Sequence, residues 1–127
     1  MKKMTQNGEL VSLDETVQAH MNVADELRKQ GKHNEATKHY LVTLDLLQID
    51  RGNGVRDTTW GKKVIFMACN GMGICYSRLG KPIDAVENFV DAIEYAPNQE
   101  ARQVALGNLK QYQEAYTNAT GGRIIPL

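Results

Sequence analysis

An all-helical fold is what this sequence predicts, on three observations. Aromatic residues make up only 6% of a chain that is 42% hydrophobic, a composition short of the rings that sheets favour. Apolar residues recur at three- and four-residue spacing over most of the length, which is the repeat of a half-buried helix. No segment alternates apolar and polar residues for long enough to predict a strand. With 127 residues the chain can form one domain with its own core.

Residues 1–12 are largely polar and are expected to form a flexible N-terminus. A first helix begins near Leu13, with Val17, His20, Met21, Ala24 and Leu27 at helical spacing, and Gly31 placed to end it. A second helix covers 35–49, with Ala36, Tyr40, Leu44 and Leu47 on one face. "DRGNGVRD" follows as a loop. Asp57, Thr58 and Thr59 offer N-caps for a third helix that runs to about Leu79. Gly80-Lys81-Pro82 ends that helix and opens the fourth, because proline is tolerated in a first helical turn. The fourth helix covers 82–95 and stops ahead of Pro97; a fifth runs over 99–117, and 118–127 form a tail.

Fifteen basic and fifteen acidic side chains cancel. A chain that neutralises many phosphates carries a basic excess or stripe, so nucleic acid is not an expected partner, nor is an anionic membrane surface. No apolar run approaches the roughly 18 residues needed to cross a bilayer, and the lysines of "MKKMTQNGEL" have no apolar segment behind them. The expected location is cytoplasmic. Cys69 and Cys75 stand six apart on one helix, fit no C-x-x-C pattern, and are expected to be buried thiols.

The stretch "GMGICYSRLGKPIDAVENFVDAIEYAP" (71–97) is rich in glycine, but Pro82 follows Lys81 and the spacing of Gly73 and Gly80 is wrong for a phosphate-binding loop. On a 34-residue frame, Gly73 falls at position 8, Tyr76 at 11, Gly80 at 15, Ala85 at 20, Phe89 at 24, Ala92 at 27 and Pro97 at 32. In this the stretch closely resembles the tetratricopeptide repeat (TPR), with Cys69 and Met72 where the family favours Trp and Leu. An earlier copy is in register: Ala24, Leu27, Gly31, Ala36, Tyr40 and Thr43 take positions 8, 11, 15, 20, 24 and 27. Gly31 and Gly80 are 49 residues apart, about 15 more than one repeat, which the loop and lengthened helices absorb. The resemblance implies a short right-handed α-solenoid over 13–117, with repeats at about 17–50 and 66–99 and a capping helix at about 99–117. It also implies a non-catalytic adaptor or scaffold.

Chemistry is not expected elsewhere. "IDRGNGVRD" places Ile49 and Arg51 where a calcium loop needs oxygen ligands. His20, His33 and His39 form no i, i+4 pair, and His20 occupies a core position. No catalytic set, cofactor site or metal site is expected.

The family resemblance implies a concave groove lined by the first helix of each repeat. Matching positions here are Gln18, Met21, Asp25 and Arg28; then Met67, Asn70, Ile74 and Ser77; then Ala101, Val104, Asn108 and Gln111. Met21, Asp25, Gly71, Ala101 and Ala105 replace the basic and amide residues with which one TPR class grips chaperone tails, so that clamp is not expected. Trp60, Val64, Met67, Gly71 and Ile74 make a second apolar stripe on the third helix. Either the second helix covers it, through Val42, Leu46 and Ile49, or it is an exposed interface. The expected function is capture of a protein segment, or self-association into a homo-oligomer, through this apolar groove. The alternative is a small TPR chaperone or regulator that shields one partner protein.

Overall fold

The structure is a computed structural model that describes residues 2–4, 10–49 and 58–123. Five helices follow one another: α1 (Leu13–Lys29), α2 (His33–Ile49), α3 (Thr59–Arg78), α4 (Pro82–Tyr95) and α5 (Gln99–Ala119). The helical region is all-α, as the periodicity predicts. The loop around 50–57, with Asp57, the tail 124–127 and the side chain of Ile49 lie outside the described residues.

One addition precedes the helices. β1 (Lys2–Met4) pairs antiparallel with β2 (Leu10–Ser12), setting Lys2 opposite Ser12 and Met4 opposite Leu10. The sequence predicts no strand in 1–12, because three residues are too few for a period-two pattern to register. β2 runs directly into α1 and touches it.

The helix ends follow from local chemistry. Thr58 caps α3, its hydroxyl accepting the Gly61 N–H at 3.0 Å. Asn98 caps α5 in the same way, accepting from Ala101 N–H at 2.9 Å. Gly31, Gly80 and Gly121 all have positive φ. In each case the next residue's N–H closes a six-residue turn: Lys32 on Leu27, Lys81 on Tyr76 and Gly122 on Thr117. This is the glycine stop that satisfies the last carbonyls of a helix. Thus α1, α3 and α5 end alike.

Each helix packs on the next, α1 also touches α3, and α3 also touches α5. Helix α3 therefore contacts all four others and carries much of the core, including Ile65, Ala68, Cys69, Met72 and Cys75. Two glycines permit this. A Cβ on Gly71 would lie 2.5 Å from the Tyr40 ring of α2, and one on Gly73 would lie 2.6 Å from the Phe89 ring of α4. Both rings are buried and have little room to yield.

Replacing Gly71 by Ala should therefore destabilise the fold. Helix propensity would favour the change by about 1 kcal/mol, but overpacking of about 1–3 kcal/mol opposes it. Gly107 is the contrast, since a Cβ there meets nothing within 4 Å. Gly107→Ala is expected to stabilise by about 0.5–1 kcal/mol. Urea unfolding midpoints of the two variants should move in opposite directions.

Candidate partner-binding face

Helices α3 and α5 touch, and side chains that they bring together form the candidate site. Asn108 donates its amide N–H to Asn70 Oδ1 at 2.9 Å, joining the helices directly. Beside that pair, Ile74, Ser77 and Gln111 join Asn108 in lining a pocket of about 350 Å³, together with Arg78, Phe89, Tyr112 and Ala115. Phe89 comes from α4 and forms a tilted aromatic pair with Tyr112, centroids 6.4 Å apart. The Ser77 hydroxyl donates to the Ile74 carbonyl at 2.6 Å. Met67 and Val104, one turn toward the N-terminus of their helices from the asparagine pair, are exposed hydrophobes.

The structure thus brings Asn70, Ile74, Ser77 and Asn108 together, with Met67 and Val104 beside them. Other expected groove residues lie elsewhere. Met21 is only 2% exposed and belongs to the core, because α2 and α3 both pack on α1 and enclose its apolar stripe. Val64 is core as well, buried in the same cluster as side chains of α1 and α2. Trp60 packs partly buried against that core. The second apolar stripe on α3 is accordingly not an open patch: Val64 and Gly71 are buried, and Met67 is its exposed member. The covering side chains differ from the expected set. Tyr40 sits under Gly71 and Leu46 packs on the core, whereas Val42 is exposed.

Asp25 and Arg28 form a separate polar cluster with Tyr40. The Tyr40 hydroxyl donates to Asp25 Oδ1 at 2.5 Å and accepts from Arg28 Nε at 3.1 Å. Arg28 and Asp25 also pair at 3.8 Å. Burial and the bond to Asp25 push the Tyr40 hydroxyl far above its ordinary value, Arg28 opposing. Burial alone would lower the Arg28 guanidinium, but its bond to Tyr40 and the Asp25 charge hold it above its usual value. These side chains serve the fold first: they satisfy a hydroxyl that the core would otherwise strand.

The frame did not mark Arg78, Phe89, Tyr112 and Ala115 as part of this face. Tyr112 and Ala115 lie beyond the last groove position of α5, which continues to Ala119 rather than ending at 117. The available signal was Tyr112 itself, one turn after Asn108 on the same stripe.

Among the described residues, no helix is long and apolar enough to cross a membrane, and no group of three or more metal-ligating side chains occurs. Comparison with protein-family models, with curated proteins and with solved structures finds no match.

Both cysteines are buried and unbridged, and burial pushes the Cys75 thiol up to about 11 from an ordinary 9.0. Neither thiol should react with a thiol reagent at pH 8 until the chain is unfolded, when both should react. The raised value also sets a pH dependence. The folded chain keeps its proton where the unfolded chain loses it, so stability is full below about pH 9 and falls as pH rises through about 11. Cys75→Ala should flatten that alkaline decline in unfolding midpoints.

Proposed function

We infer that this chain is a TPR-type protein-interaction module, with two helix hairpins, a capping helix and no catalytic role. The observation that carries this reading is the burial of corresponding frame positions in both hairpins. Ala24, Ala36, Tyr40 and Thr43 are enclosed in the first, and Gly73, Ala85, Phe89 and Ala92 in the second. Neighbour-to-neighbour packing with contacts from α1 to α3 and from α3 to α5 also supports a short solenoid, in which each unit buries its apolar face on the next. A positive-φ glycine turning each hairpin agrees with it.

The binding surface in this reading is the α3–α5 face. It carries the amides Asn70, Asn108 and Gln111, apolar side chains at Ile74 and Phe89, and the charge of Arg78. Amides of this kind suit an extended backbone, whose N–H and C=O groups need both donors and acceptors. The occupant is accordingly an extended protein segment with an apolar side chain for the pocket. The exposed Met67 and Val104 extend that surface and offer the route to self-association.

Panning a library of extended peptides against the folded chain, then measuring affinity by fluorescence anisotropy, tests this. Ile74→Glu should weaken the selected peptides by at least about ten-fold, equivalent to 1.4 kcal/mol. Val90→Glu, on the exposed outer side of α4, should leave them unchanged. Equal loss in both variants, or none in Ile74→Glu with its helicity intact, would sink the assignment. Light scattering over a concentration range, with Met67→Glu alongside, reports whether the same face also pairs two copies.

A further inference from the structure

The first hairpin holds a pairing of side chains that the interaction reading does not use. His20 of α1 and His39 of α2 meet with Nδ1 facing Nδ1 at 3.1 Å, their ring centroids 5.4 Å apart and planes tilted by 34°. Both rings are part-buried, so the pair is held by the packing of two helices and still reaches solvent. Between two neutral rings one nitrogen must donate and the other accept, because each neutral imidazole has one of each.

The same pair can open into a metal chelate. A tetrahedral zinc ion with nitrogen ligands at about 2.0–2.1 Å keeps them roughly 3.3–3.4 Å apart. The observed nitrogens are a few tenths of an ångström from that separation, and their lone pairs face each other, so each ring turns by roughly 35° to aim at a shared tetrahedral ion. Imidazole nitrogen is a favoured ligand for zinc, copper and nickel. We propose that His20 and His39 form a two-histidine site for a divalent transition metal, binding through both Nδ1 atoms and clamping α1 to α2. Among the described residues no third His, Cys, Asp or Glu joins them. Two protein ligands leave the coordination shell open, so the site is weaker than a closed structural zinc site.

The proton accounting is simple. The ring that donates through Nδ1 passes its proton to its own Nε2, by way of solvent, and presents a lone pair. Two neutral rings therefore take up the metal with no net proton release, and protonation of either ring competes with it.

The chain has three histidines, so His33 is an internal control. It opens α2 and its buried Nδ1 has no hydrogen-bond partner. Titrating zinc chloride into the full-length chain, by calorimetry in a non-chelating buffer, is expected to show one saturable equivalent. His39→Asn keeps a hydrogen-bonding amide near the Nδ1 position but is a poor ligand. It should weaken binding by more than about ten-fold, since even loss of a ligand's supporting hydrogen bond costs a metal site that much. His33→Asn should bind as the unmodified chain does. In the unmodified chain, nitrogen NMR should show the Nδ1 signals of His20 and His39 moving together with added zinc. No binding at millimolar zinc, undiminished binding by a folded His39→Asn, or movement confined to His33 would each overturn the site. The NMR arm decides the matter should the His39 variant fail to fold.

Discussion

Tyr40 reaches from α2 across to the bare backbone of Gly71 on α3, and the placement of the first hairpin against the rest of the chain rests on that contact. Three conditions hold it. The ring is fully buried, its hydroxyl is fixed by Asp25 and Arg28, and position 71 offers no side chain to keep the helices apart. A ring tethered at its tip cannot swing aside, so the gap at Gly71 sets how closely α2 and α3 approach. Because α3 touches every other helix, that spacing propagates to the positions of α4 and α5.

The α3–α5 face inherits its shape from the same arrangement. Gly73 lets α4 approach closely, and Phe89 joins the lining of the pocket. Asn70 and Asn108 meet beside it. A surface built from helices, with side chains already bonded across it, has little freedom left to lose. The polar cluster of Asp25, Arg28 and Tyr40 contributes indirectly by holding the ring that positions α3.

Much of the fold was legible in the sequence because its signals are local. Gly31 and Gly80 ended their helices, Thr58 capped α3, and Pro82 opened α4, each for reasons contained within a few residues. The small and aromatic positions of the two hairpins were legible too, since close helix approach demands them. The surface was not. Met21, Asn70 and Val104 hold the same place in the repeat frame, yet Met21 is 2% exposed, Asn70 half-buried and Val104 54% exposed. Burial there depends on what stands on either side of the helix, and a repeat pattern carries no record of its neighbours. The N-terminal ribbon escaped for a different reason, being shorter than any periodicity.

Helices α1, α3 and α5 differ at one corresponding position. Two residues before the position-8 residue of each frame stand Asn22, Gly71 and Ala105. Gly71 takes the ring of the preceding hairpin, and Ala105 is the buried residue of α5, packed where α4 precedes it. Asn22 is exposed and hydrogen-bonded to Gln18. An amide at that socket is a poor seat for an incoming helix, since its polar atoms would have to be buried. Head-to-tail stacking of one copy onto the α1 end of another is thereby disfavoured.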